Sequence, residues 1–277
     1  MLTIVDHRRD SAGLLYVYPV VSRRAGGVSV GINLNPNAAC NWACRYCQVP
    51  DLKRGGPPPL DLPRLERELR GFLGDVLNGD FLQRHVPEAS RRLVDIAFSG
   101  DGEPTTAAEF AEAVALVERV LADLGLLGNL VVRLITNGSQ LRRPAVREGI
   151  ARIGACGGEV WFKLDRATTQ GVQLVNGAQR TPQQTRTALL ACAGLAPTWV
   201  QTCWFAFDGE APGAEEEGAY LALIGELREK IRGVHLYGLA RPSQQPEAER
   251  LSPLALEDFA RFARQIEALG VRVVMNP

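Results

Sequence analysis

Leu93-Val94-Asp95-Ile96-Ala97-Phe98-Ser99-Gly100-Asp101-Gly102-Glu103-Pro104-Thr105 decides the fold. A short, mostly apolar run reads as a buried strand, a glycine-bearing turn follows, and residues 107–124 then repeat apolar side chains at helical spacing. The same succession recurs along the chain. Apolar runs at 28–34, 93–98, 130–135, 160–164, 199–207 and 234–239, with a less regular one at 271–275, alternate with helical patterns at 63–77, 107–124, 142–153, 181–193, 218–231 and 255–269. Thr181 followed by Pro182 marks a helix start, and Gly125, Gly154, Gly194, Gly233 and Gly270 lie just past helical runs, where a left-handed residue ends a helix.

Repeated strand-then-helix units with parallel crossovers define an α/β protein, its sheet either closed as a barrel or left open. Six units are fewer than the eight of a complete barrel. Residues 28–277 form the main domain, and 1–27 read as an N-terminal extension with a hairpin, its strand near 14–20 and its turn near 24–27. Residues 55–59 and 212–218 read as solvated loops. In either form of sheet, ligands sit at the carboxyl ends of the strands. The candidate residues obey that rule, since Cys40 to Cys47 follow the first strand, Gly100 to Pro104 the second, Asn137 the third and Asp165 the fourth.

Thirty-one basic and thirty-one acidic residues cancel, so no global field attracts a polyanion, and an RNA substrate would need a local patch. The first thirty residues show no apolar run of signal-peptide length, and no stretch has the length that crosses a bilayer. A cytoplasmic protein without membrane contact is the expectation. Thiols stay reduced there, so six cysteines do not read as a disulfide framework.

Three of the six fall within eight residues, Cys40-Asn41-Trp42-Ala43-Cys44-Arg45-Tyr46-Cys47, while Cys156, Cys192 and Cys203 are scattered. Three thiolates on one loop can hold three irons of a cubane and leave the fourth iron open to a ligand. Zinc usually takes four ligands, and none of His7, His85 and His235 lies in the loop. A non-catalytic zinc-binding or partner-binding module stays open as the alternative.

The spacing C-x-x-x-C-x-x-C, with Tyr46 before the last cysteine, resembles the radical S-adenosylmethionine (SAM) superfamily. The resemblance runs from about residue 31 to 242, with motifs in the family's order. It implies a partial (β/α)6 TIM-like barrel with parallel strands, a [4Fe-4S] cluster on Cys40, Cys44 and Cys47, and SAM as second cofactor. Reductive cleavage of SAM would then give a 5'-deoxyadenosyl radical that abstracts hydrogen from a substrate. By the same resemblance Gly102, Glu103 and Pro104 match the Gly-Gly-Glu-Pro element that meets the methionyl amino group, although Asp101 stands where its first glycine belongs. A tight loop capping the next helix is the alternative there.

Asn137, in Thr136-Asn137-Gly138, matches the polar contact to the ribose, or else serves turn chemistry. Lys163 and Asp165 share one strand face and match groups that meet the ribose hydroxyls and the SAM carboxylate, a mutual ion pair being the alternative. Arg241 and Pro242 resemble the closing loop near adenine, and Tyr46 and Trp42 would shield the cluster. Gln201, Cys203 and Phe205 share a face where substrate would lie; Cys203 could donate a hydrogen atom or proton there, or be a small buried hydrophobe.

The pattern is nearest the wyosine-forming tRNA enzymes and the radical-activating enzymes, without a cysteine-rich tail for further clusters. An external electron donor such as flavodoxin or ferredoxin is implied as partner. The substrate stays open among a nucleoside in RNA, a small metabolite, a peptide and a glycyl-radical protein.

Overall fold

Strand–helix alternation is what the computed structural model displays, over residues 13–22 and 26–277. β1 (Val17–Ser22) pairs antiparallel with β2 (Gly27–Ile32), Val17 opposite Ile32. The turn read at 24–27 lies partly outside the described residues, as does His7. Two-residue strands β3 (Ala39–Cys40) and β4 (Lys53–Arg54) bracket the cysteine loop in sequence. Next come α1 (Leu62–Asn78), α2 (Phe81–His85), β5 (Leu93–Phe98), α3 (Phe110–Asp123), β6 (Val131–Thr136), α4 (Pro144–Ala155) and β7 (Glu159–Lys163). The chain continues through α5 (Thr169–Asn176), α6 (Pro182–Ala193), β8 (Thr198–Cys203), β9 (Ala206–Phe207), α7 (Ala214–Leu227), β10 (Gly233–Tyr237), β11 (Leu251–Ser252), α8 (Leu256–Glu267) and β12 (Val273–Asn276).

The main sheet runs β1-β2-β5-β6-β7-β8-β10-β12, is largely parallel and does not close. Six strands each feed a helix, and β12 adds a seventh strand in parallel to β10. The α/β fold with a partial TIM-like barrel is therefore the fold found. No helix among the described residues is long and apolar enough to cross a membrane.

The chain divides into two compact units, each described by itself. The first holds the described residues up to Asn41, then Gly55–Ile135 and Arg142–Glu159. Its helices bury one stripe each: Leu65, Leu69 and Leu73 of α1, Val114, Val117 and Leu121 of α3, Ile150 and Ile153 of α4. This is the three-to-four-residue spacing by which a helix covers a sheet. Asp61 starts α1 by accepting from the Arg64 N–H at 2.9 Å.

The second unit holds Trp42–Arg54, Thr136–Leu141 and Val160–Pro277. Alternation along its strands separates two faces. Thr202 and Trp204 turn to the helices, where the Thr202 hydroxyl meets Tyr220 of α7 at 2.6 Å and the Trp204 ring stacks on Phe262 of α8 at 4.1 Å. Lys163, Gln201 and His235 stand in register on the other face of β7, β8 and β10.

Two helical expectations are corrected. Residues 212–218 are not a solvated loop throughout, because α7 begins at Ala214 and Glu216 is 8% exposed. Its carboxylate accepts from the Ala167 N–H, and from the Thr168 N–H and hydroxyl at 3.2 and 2.6 Å, so burial is matched by donors. Second, α5 was missed between the fourth strand and residue 181. It is a full helix with Thr168 as N-cap, bonded by the Gly171 N–H at 2.9 Å, and Gly177 as a left-handed C-terminal stop at φ +58°.

Candidate functional site

The cysteine loop in the second unit is fixed by main-chain bonds from α5. Ala43 N–H donates to the Asn176 carbonyl at 3.0 Å, and Arg45 N–H to the Val175 carbonyl at 2.8 Å. These are helix C-terminal carbonyls, which have no partner inside the helix, so the loop takes up acceptors the helix leaves over. The Asn176 amide then donates to the Cys44 sulfur at 3.3 Å. Gly177 packs against Ala43, where an added Cβ would meet the Ala43 carbonyl at 2.9 Å.

On its far side the loop is held by residues 243–247. The Ser243 hydroxyl donates to the Arg45 carbonyl at 2.6 Å, Gln244 N–H to the Cys47 carbonyl at 2.9 Å, and the Gln245 amide to the Val49 carbonyl at 2.8 Å. Arg45 is paired with Glu247. Sequence reasoning placed a closing loop at Arg241 and Pro242, and the residues that clamp the cysteines follow just behind it. Arg241 itself is half-buried.

Asp165 is the node beneath Cys44. It is 1% exposed, and its carboxylate accepts from the Tyr46 hydroxyl at 2.6 Å, the Asn176 amide at 2.7 Å and the Cys203 N–H at 2.8 Å. Three donors from the chain thus meet a carboxylate that has about four acceptor sites. The alternative, a Lys163 ion pair, does not form among the described residues. The Lys163 ammonium lies over the Tyr46 ring at 4.9 Å, and the neighbouring Tyr237 and Asp165 keep its pKa raised against the opposing effect of burial.

Burial pushes the Cys44 thiol up to about 12, with the Asp165 charge adding and the Lys163 charge opposing, and burial likewise raises Tyr46. Arg166, beside Asp165, donates to the carbonyls of Asp165, Cys203 and Phe205 at 2.7, 3.2 and 3.1 Å, and so ties the carboxyl ends of β7 and β8 together. Cys203 is 1% exposed and packs with Val175 and Phe205, as a small hydrophobe does.

Asn137 sits at the carboxyl end of β6 with Thr136 and Gly138. Its side-chain oxygen accepts from Ser139 N–H at 2.9 Å, an Asx turn, and its carbonyl accepts from Arg180 at 2.5 Å. Gly138 adopts φ +66°, and a Cβ there would meet the Phe162 ring at 2.2 Å. Arg180 also lies 5.8 Å from the Trp42 ring, which joins this turn to the cysteine loop.

In the first unit, Gly100 and Gly102 are required by packing on the chain itself. A Cβ on Gly102 would meet the Ala39 carbonyl at 2.1 Å, and one on Gly100 the Asn33 amide at 2.3 Å. Asp101, the residue that departs from the family element, accepts from the Asn33 amide at 2.6 Å. Glu103 is 4% exposed and accepts from the Thr105 hydroxyl at 2.6 Å, capping the short turn that Pro104 enters. Cys40 belongs to this unit, and its carbonyl accepts from Gly55 N–H at 3.1 Å.

Cys44, Tyr46, Lys163 and Asp165 are thus brought together in one unit, whereas Cys40, Gly102, Glu103 and Pro104 belong to the other. Among the described residues no three His, Cys, Asp or Glu side chains group closely enough to hold one metal ion.

No family model matches the chain. Among curated proteins, GTPase Obg of Brachyspira hyodysenteriae is 26% identical over 135 residues, which is 48% of this chain and 17% of that protein. The chain thus spans less than a fifth of that relative. At that identity and coverage the likeness carries no activity across.

Solved structures agree over far more of the chain. A radical SAM methyltransferase from Sphaerobacter thermophilus superposes with a TM-score of 0.64 at 15% identity, covering 94% of this chain and 68% of that one. Native anSMEcpe with bound AdoMet and a Cp18Cys peptide gives 0.53 at 18% identity over 89% of this chain and 62% of that one. The hydrogenase maturase HydG from Carboxydothermus hydrogenoformans gives 0.51 at 11%, over 89% and 53%. The fold of this chain is the fold of the radical SAM enzymes.

Proposed function

We propose that this chain is a radical SAM enzyme in which Cys40, Cys44 and Cys47 hold a [4Fe-4S] cluster and SAM is the second cofactor. The carrying observation is the double clamp on the cysteine loop. Within one unit, Val175 and Asn176 on one side and Ser243, Gln244 and Gln245 on the other hold the cysteine segment by its main chain and by the Cys44 sulfur. Such supporting contacts are what metal ligands need in order to stay oriented. The fold shared with proteins solved with AdoMet bound supports the same reading.

When bound, the cluster supplies the electron for reductive cleavage of SAM. The chain's own residues position and protect. Asn176 orients the Cys44 sulfur, Asp165 fixes both Asn176 and Tyr46, and the Tyr46 and Phe205 rings, 5.6 Å apart edge to face, cover the loop's flank. Lys163 offers a cation on that same flank for a carboxylate. The electron comes from an external donor of the flavodoxin or ferredoxin kind.

Anaerobic reconstitution with iron and sulfide tests the reading. The expected product is brown with about four irons per chain. Cys40→Ala, Cys44→Ala and Cys47→Ala should each lose the iron, while Cys156→Ala and Cys192→Ala keep it. A colourless protein that takes one zinc instead would establish the zinc-binding alternative.

A further inference from the structure

The face of β7, β8, β10 and β12 that turns away from the helices is layered. Its lowest layer is aromatic: Trp161 and Trp199 stand in register, and the His235 ring lies 4.6 Å from each. The next layer is polar, Lys163 beside Gln201 beside His235. Above it Cys203, Tyr237 and Asn276 follow in register, and Tyr46 of the cysteine loop packs against the cluster that holds Cys203.

Two amides on this face are left with an unanswered atom. Gln201 is 3% exposed, yet its Oε1 has no hydrogen-bond partner, and the Nδ2 of Asn276 is buried and equally without one. An unmet buried polar group costs about 1–3 kcal/mol, so chains seldom keep two on one sheet face without a use. Nothing about strand packing requires them, since an apolar side chain of similar size would fill either position.

An amide offers one acceptor beside one donor. Its full complement is another amide-type edge, N–H next to C=O, and a carboxylate or phosphate answers only half of it. From strand spacing and rise, the Cα atoms of Gln201 and Asn276 stand ~12 Å apart, a span that two side chains and one ring system fill. The tilted aromatic layer beneath supplies ring faces and edges against which such a ring can pack.

We propose that this face binds a neutral planar ligand with a cyclic amide edge, read by Gln201 and Asn276 and packed on Trp161, His235 and Trp199. The inference rests on the proposed function, for which it names the substrate chemistry. That edge is found on nucleobases and on cyclic dipeptides, and the experiment separates these sources.

Calorimetric titration of the reconstituted full chain would use guanosine, uridine and cyclo-(Gly-Gly), each beside its N-methylated counterpart with the edge blocked. At least one parent compound should bind, with its N-methyl form and the Gln201→Leu variant each weakened about tenfold or more. Binding of a nucleoside alone assigns the nucleobase source, and binding of the cyclic dipeptide alone assigns the peptide source. In the absence of ligand, Gln201→Leu should melt no lower than the parent protein, because the buried oxygen it removes has no partner.

A parent protein that binds none of the three, or binds the N-methyl forms equally, overturns the proposal, as does a Gln201→Leu variant that melts lower. Iron content of the same preparation is read separately. Iron without lactam binding overturns this site alone, whereas lactam binding without iron leaves the site and removes the radical SAM reading.

Discussion

At the scale of single residues, Asp165 carries the most structure per atom. Its carboxylate joins the fourth strand's end to Tyr46, to α5 and to the backbone at Cys203. Asp165→Asn must turn an N–H₂ toward at least one of these donors, and hydrogen bonds to a charged group are each worth about 1.5–3 kcal/mol. The variant should therefore lose about that much stability, read as a lower urea midpoint at unchanged slope. Combined with Tyr46→Phe, the two losses should fall short of additive, because they share one bond. The sequence placed Asp165 and Lys163 on one strand face, whereas β7 ends at Lys163 and Asp165 lies past the strand. What alternation along a strand does not disclose is which distant donors arrive, and Asn176 and Tyr46 arrive from segments 11 and 119 residues away.

Elements show why much of the fold was legible and one helix was not. β5, α6 and α8 have apolar runs long enough, or caps clear enough, to stand out, as in the capping box of Thr181 and Gln184. α5 has only eight residues, three of them buried, and too few turns for a periodicity to declare itself. Its signals were local: Thr168 at the start, and Asn176-Gly177 at the end, a pair that suits a left-handed stop. Glu216 was hidden for the opposite reason, as one acid in a Glu-Glu-Glu run that composition marks as solvated. Since it meets the first N–H groups around α5, Glu216→Ala should cost about 1.5–3 kcal/mol. Hydrogen exchange should quicken along α5 before it does along α6, and because Asn176 steadies Cys44, iron retention after reconstitution should fall with it.

For the whole molecule, the cores of the two units are built from aliphatic stripes and from the Trp204, Tyr220 and Phe262 group, without recourse to Cys40, Cys44 or Cys47. The metal-free chain is therefore expected to stay folded. A variant with Cys40, Cys44 and Cys47 all replaced by Ala should keep its helical circular dichroism and one cooperative melt near that of the chelator-treated parent; a protein organised by a structural zinc would unfold on either treatment. The clamp on the cysteine loop also orders events during synthesis. Cys44 receives its bond from a residue 132 positions later, and Arg45 and Cys47 theirs from residues almost two hundred positions later. Chains grow from the N-terminus at about 5–20 residues per second. For many seconds after its three thiols leave the ribosome, the loop has none of the residues that shape it, and any metal captured in that interval meets an unsorted segment. The finished binding loop exists only once residues 243–247 have emerged, so correct loading belongs after translation has passed them.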